Sequence, residues 1–210
     1  MSRFGPDPVT FFTSVYSQTP PWDIGKPQPA MAALLAEYPP ASPILDVGCG
    51  SGDLSIHLAQ LGHQVIGIDF VEAAVTAAQA RLGSLPAQAA RRLSFQVADA
   101  LKPSRLQRQF GSVVDSGFLH LFDPAQCDDY VNELASVLIP GGRYYLHAFA
   151  VEFPIPNVPR QITADEVRAR FAPDRGWTIK TIQETEFLSR VAPPVAAICA
   201  CIERMETARA

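Results

Sequence analysis

Ile44-Leu45-Asp46-Val47-Gly48-Cys49-Gly50-Ser51-Gly52 carries a short apolar run straight into glycines at three alternate positions. Aliphatic residues bounded by glycine read as a buried strand, and the amphipathic stretch Asp53–Leu61 that follows reads as a helix. Glycine has no Cβ, so such a junction turns sharply and lets a ligand lie against bare backbone, the signature of a nucleotide-type site. The spacing is G-x-G-x-G, not the G-x-G-x-x-G of dinucleotide folds. Asp46, two residues before the first glycine, would repel a pyrophosphate and attract a cation.

The same alternation extends in both directions. Pro43–Val47 leads into Asp53–Leu61, Gln64–Ile68 into Val71–Leu82, and Ser112–Asp115 into Gln126–Leu138, with Leu93–Val97 and Gly142–Phe149 as further apolar runs. Strands separated by helices require crossovers, hence a mostly parallel, Rossmann-like α/β sheet with helices on both faces. Beyond a helix at Ala164–Phe171, capped by Thr163, the β-rich runs Trp177–Phe187 and Val195–Glu203 have no helix between them. They are expected to close the sheet as an antiparallel hairpin. Upstream, Val9, Phe12 and Tyr16, and then Met31, Leu34, Leu35 and Tyr38, recur at helical spacing on either side of the proline-rich link Thr19–Pro29.

The chain has 210 residues, 48% of them hydrophobic and 18% charged, which suits one globular domain and excludes a disordered or coiled-coil chain. A net charge of −4 without a basic run argues against nucleic acid as a partner. Four cysteines, none in C-x-x-C, fit a reducing cytoplasm. No stretch approaches the roughly 18 apolar residues of a membrane span, and Met1–Pro8 lacks the apolar centre of a signal peptide. A monomer or homodimer is expected.

Two later strands also end in acids. Val65-Ile66-Gly67-Ile68-Asp69-Phe70 places Asp69 beside the glycine loop, where a carboxylate accepts both hydroxyls of a ribose, with Phe70 next to it. Leu93-Ser94-Phe95-Gln96-Val97-Ala98-Asp99-Ala100 places Asp99 and Ala100 at the same edge, suited to an exocyclic adenine amine. With Leu138-Ile139-Pro140-Gly141-Gly142-Arg143 further on, the region Pro43–Phe149 resembles the core of the class I S-adenosylmethionine (SAM)-dependent methyltransferases. That resemblance implies a seven-stranded sheet with a reversed last strand, SAM as cofactor and S-adenosylhomocysteine (SAH) as its product. It also implies a fourth strand that brings Asp115 and Ser116 near the reacting centre. SAM carries a sulfonium and an ammonium but no phosphate, which suits an acid-rich rim better than NAD would.

Pro20-Pro21-Trp22-Asp23-Ile24-Gly25-Lys26-Pro27-Gln28-Pro29 is similar to a P-W-D-x-G-x-x-x-P signature of the thiopurine, halide/thiol and bacterial small-aromatic methyltransferases. The resemblance implies that Trp22 contacts the cofactor, that Gly25 allows close packing, and that Phe11, Phe12 and Tyr16 form a lid over the acceptor. The plainer reading of Trp22 is an aromatic plug. Phe149, at the end of the fifth strand, is expected to line the acceptor site. His120, with an unperturbed pKa of about 6.5, is the candidate general base or acceptor-orienting residue, with Asp115 beside it; the plainer reading is a helix cap or a satisfied core histidine. No ligand spacing calls for a metal.

These readings predict one domain over 1–210, with a helical lid at 1–40, a cofactor-binding core at 41–150 and a C-terminal helix and hairpin at 151–210. The expected activity is methyl transfer from SAM to a small, mostly apolar acceptor, favouring a phenolic or heteroaromatic hydroxyl. Alternatives are a thiol, thiopurine or halide acceptor, a NAD-dependent oxidoreductase, and a cofactor-binding domain without catalysis.

Overall fold

The computed structural model describes residues 4, 7–155 and 157–206; most of the stretch Met1–Pro8, read above for a signal peptide, lies outside them. Seven strands form one sheet: β1 (Ile44–Val47), β2 (Val65–Asp69), β3 (Leu93–Val97), β4 (Phe110–Ser116), β5 (Leu138–Phe149), β6 (Trp177–Phe187) and β7 (Val195–Arg204). Their order is β3-β2-β1-β4-β5-β7-β6. Strands β1 to β5 run parallel, and β7 enters antiparallel between β5 and β6. The expected hairpin therefore closes the sheet, with its second strand on the inside.

Every residue of β1 and β2 is buried, as two-sided coverage demands. On one face α6 (Pro124–Val137) and α7 (Ala164–Arg170) pack through Tyr130, Leu134 and Val167 against Tyr144 and Trp177. On the other, α2 (Pro29–Glu37) and α3 (Asp53–Gln60) bury Met31, Leu34 and Leu58 against Tyr145, Cys199 and Cys201. α4 (Glu72–Arg81) and the single turn α5 (Ala87–Ala90) link β2 to β3. α1 (Pro8–Tyr16) joins neither core. Its Phe12 is buried with Phe4 against Val71 and Ala74 at the start of α4, directly above the carboxyl edge of the sheet.

Local chemistry sets the boundaries. α6 begins at Pro124, two residues earlier than the hydrophobic pattern suggests, because Asp123 forms a capping box with Gln126. Thr163 caps α7 as expected, accepting from the Glu166 N–H at 3.0 Å. β5 is longer than expected: Leu138 already pairs with Phe110, and Arg143 then pairs with Ser112, so Ile139–Gly142 loop out of the ladder. A Cβ on Gly142 would lie 2.8 Å from the Ile139 carbonyl, so the Pro-Gly-Gly sequence serves this bulge. Among the described residues no helix is long and apolar enough to cross a membrane.

Strand order reverses between β2 on one side of β1 and β4 on the other. Loops leaving the two sides diverge there and open a crevice at the carboxyl ends, where doubly wound sheets bind ligands.

Candidate active site

A cavity of about 600 Å³ fills that crevice. Its floor is the glycine loop. Gly48 and Gly50 have φ of +64° and +54°, the left-handed region in which a side chain is strained. A Cβ on Gly48 would meet the Phe118 ring at 2.8 Å, and one on Gly50 the Tyr16 hydroxyl at 2.7 Å. The loop is tied to β2 by Cys49 N–H donating to the Ile68 carbonyl at 3.0 Å and Gly50 N–H to Asp69 Oδ2 at 3.0 Å. The other oxygen of Asp69 accepts from Val71 N–H at 2.9 Å. Burial raises its pKa while these backbone N–H groups hold it down, and each carboxylate oxygen keeps a further lone pair for a ligand hydroxyl.

Asp46 lines the cavity and is 2% exposed. The Ser55 hydroxyl donates to it at 2.6 Å. Burial pushes its pKa up to about 7, opposed by Ser55 and reinforced by the charges of Asp115 and Asp69. Asp23 and Asp53 also line this end, whereas Lys26 is the only Lys or Arg among the described lining residues. The rim thus carries four carboxyls against Lys26 and, paired with Asp53 at 2.7 Å, Arg81, an acidic balance that favours a cation over a phosphate.

The segment Pro20–Pro29 crosses this end as a strap. Ser51 Oγ donates to Asp23 Oδ2 at 2.7 Å, fastening the strap to the glycine loop. At its other end the buried Gln28 side chain makes two bonds to one residue: Nε2 donates to the Leu188 carbonyl at 3.0 Å and Oε1 accepts from Leu188 N–H at 2.9 Å. Arg190 N–H adds a bond to the Pro21 carbonyl at 2.8 Å. The strap therefore couples the glycine loop to the β6–β7 connection, which lines the far end of the cavity through Val191 and Ala192.

That far end is apolar. Phe11, Phe12, Tyr16, His120 and Phe149, all expected to contact an acceptor, line the cavity together with Trp22, Phe70 and Ser116. Phe12 stands edge-on to Phe70 and to Trp22 at 5.7 and 6.3 Å, and Tyr16 meets Trp22 at 6.2 Å, so the lid aromatics form one interlocked set. Trp22 remains 39% exposed at the mouth. The sequence reading missed Phe4, Phe153, Ile155, Phe187 and Val191, which complete the walls. Only Phe187 carried a signal, as the last apolar residue of a strand ending near the same edge.

The structure places several of the expected site residues away from the cavity or engages them elsewhere. Asp115 does not line the cavity. It is fully buried and accepts from Phe118 N–H at 2.8 Å, Leu119 N–H at 3.1 Å and the Tyr144 hydroxyl at 2.7 Å, so it shapes the loop after β4. Asp99 and Ala100 also lie outside the cavity wall: Asp99 is exposed, its Oδ1 accepting from Leu101 N–H at 3.0 Å, and Ala100 is buried in the core. Gly25 has open space where its Cβ would be, so its φ of +72°, not close packing, calls for glycine. His120 lines the cavity but is poorly placed as a general base. Its Nδ1 accepts from Phe149 N–H at 3.1 Å, Nε2 faces Gly117, and burial pushes its pKa down to about 3.

Comparison with known proteins finds similarity to methyltransferases. A family model described as a methyltransferase domain matches residues 44–142. A 2-heptyl-1-hydroxyquinolin-4(1H)-one methyltransferase of Mycobacteroides abscessus is 29% identical over 164 residues, 78% of this chain and 70% of that protein. A structure solved in work on the conversion of a disulfide bond into a thioacetal group during echinomycin biosynthesis superposes with a TM-score of 0.80 at 29% identity, covering 94% of this chain and 93% of that one. The magnesium protoporphyrin IX methyltransferase of Synechocystis PCC 6803, solved with bound SAM, gives a TM-score of 0.63 at 26% identity, covering 83% of this chain and 76% of that one.

Proposed function

The chain belongs to the class I SAM-dependent methyltransferases, and we propose that it methylates a small, mostly apolar acceptor, with a hydroxyl on a phenolic or heteroaromatic ring as the favoured target. The observation that carries this reading is the continuity of one cavity from an acid-lined glycine loop to an aromatic chamber. The hydroxyquinolone acceptor in the name of the mycobacterial relative supports a heteroaromatic hydroxyl. A sulfur acceptor is the second reading, supported by the similarity over nearly the whole chain to a structure associated with thioacetal formation. In this reading residues 1–210 form one domain, with the 1–40 segment as its lid.

The residues present fit SAM. Gly48 and Gly50 bare the backbone for close approach, Asp69 would offer carboxylate lone pairs to a ribose, and Asp46, with Asp23 and Asp53 nearby, would attract the cationic part. SAM when bound supplies an electrophilic methyl group on a positively charged sulfur. The protein's part is to position and to exclude water. Phe11, Phe12 and Phe149 with the strap enclose the acceptor in apolar surroundings, where a reaction that annihilates charge is favoured over its charged ground state. Holding the two reactants in line supplies much of the remaining acceleration, and no side-chain nucleophile is needed. His120 serves as a rigid wall, its ring held to β5 and 4.7 Å from that of Phe149.

Incubation with methyl-labelled SAM and a panel of hydroxyquinolinones, phenols, thiols and iodide tests the reading. Label on an aromatic hydroxyl with stoichiometric SAH is expected. Transfer to thiols alone would select the second reading, and firm SAH binding with no transfer to any acceptor would overturn both.

A further inference from the structure

Of the described titratable groups on the cavity wall, the carboxyls and Tyr16 gather around the glycine loop, the Cys49 thiol belongs to that loop and is pushed far up by burial, Lys26 lies on the strap between Asp23 and Gln28, and His120 stands in the aromatic chamber. Asp46 and Asp69 hold Ser55 and the glycine loop, Asp23 holds Ser51, and Asp53 faces Arg81 at 2.7 Å. The Tyr16 hydroxyl sits over Gly50, and burial with the charge of Asp69 drives its pKa far up. In the aromatic chamber the one candidate is His120, both of whose ring nitrogens meet backbone. The charged and titratable neighbours that face it make protonation harder: His147 on β5, and Arg160, whose backbone N–H donates to the His120 carbonyl and whose guanidinium is held by Glu166 and the Phe122 carbonyl. His147 lies outside the cavity wall, buried with its ring stacked on Phe187 at 4.5 Å.

A chamber without a free base cannot take a proton from its acceptor. We propose that this enzyme selects acceptors that arrive already ionised: acidic O–H or S–H compounds such as N-hydroxy heteroaromatics, electron-poor phenols and thiols, whose conjugate bases form in solution. This rests on the transfer reaction proposed above. The acceptor loses its proton to water before it binds. Its anionic oxygen or sulfur then forms the new bond to the methyl carbon, the carbon–sulfonium bond breaks, and the bonding pair stays on sulfur to give neutral SAH. No proton remains for the protein to handle. An anion in apolar surroundings is costly alone, and here the sulfonium compensates it.

The test is the pH dependence of kcat/KM across phenols and thiols of graded acidity, run from an electron-poor phenol titrating near 7 to unsubstituted phenol near 10. The apparent pKa is expected to follow that of each acceptor, so that at pH 7 the usable fraction falls about 500-fold between these two phenols. In parallel, 4-nitrophenolate binding, read by its visible absorption, should be tighter to the complex with a non-reactive SAM analogue bearing an ammonium in place of the sulfonium than to the SAH complex. One enzyme pKa shared by all acceptors, or equal binding to the two complexes, would overturn the inference while leaving methyl transfer intact. Absence of transfer to every acceptor would instead remove the reaction on which it rests.

Discussion

Lowering the pH from 8 to 6 should weaken SAM binding about tenfold through a single side chain. Asp46 is buried and held by Ser55, and burial pushes its pKa up to about 7. A cation placed beside it favours the ionised form, so binding below pH 7 must first expel a proton. With the bound form ionised, the dissociation constant scales as one plus the ratio of protonated to ionised Asp46. That factor is about 11 at pH 6 and about 1.1 at pH 8, and about half a proton should be released on binding at pH 7. Isothermal calorimetry in buffers of different ionisation enthalpy measures both quantities. Asp46→Asn removes the titration, so its affinity should be weaker at pH 8 and lack this added slope. Ionisation of SAM itself is common to both proteins and cancels in the comparison. The same slope in Asp46→Asn as in the unsubstituted protein would refute the reasoning.

The free protein should lose stability as pH rises from about 4 through about 7, because burial raises the pKa of both Asp46 and Asp115 to about 7. A carboxyl raised in the folded state contributes stability that is fully present below its unfolded pKa and gone above its folded one; denaturant titrations at pH 5 and 8, corrected with Asp115→Asn, should show that sign. Tyr144→Phe removes the 2.7 Å hydrogen bond to Asp115 and should cost about 1–3 kcal/mol in urea unfolding, with unchanged stability contradicting the role given to Asp115. Gln28→Ala breaks both bonds to Leu188 and should cost about 1–2 kcal/mol while raising KM for SAM and acceptor together; a change in neither KM would show that the strap does not couple the two ends. Gly50→Ala sets a methyl 2.7 Å from the Tyr16 hydroxyl at a φ of +54°, and weaker SAH binding by calorimetry is expected.

The sheet was legible because its evidence is periodic. Buried runs such as Val65–Asp69 alternate with amphipathic stretches, and the two C-terminal runs have no helix between them. The glycine loop was legible because the sequence demands positive φ where few other residues tolerate it. What the strand-end acids do was not legible. Asp46, Asp69, Asp99 and Asp115 stand at comparable places in their strands, yet their oxygens meet different partners. Asp69 keeps lone pairs toward the cavity, Asp115 faces two backbone N–H groups and Tyr144, and Asp99 turns to solvent. Hydrogen bonding across 29 residues, as between Asp115 and Tyr144, leaves no local trace. The engagement of His120 was hidden for a similar reason, since Phe149 N–H, which donates to its Nδ1, lies 29 residues away on β5. Ile155 and Val191 sit in irregular loops, where an apolar residue has no periodicity to announce which way it faces.

A crystal structure with SAH bound probes the central assignment most directly. The adenosine should lie beside Asp69, the homocysteine amine should approach Asp46, and the sulfur should face the space bounded by Phe11, His120 and Phe149. A sulfur turned to solvent, or SAH seated away from the glycine loop, would contradict the account.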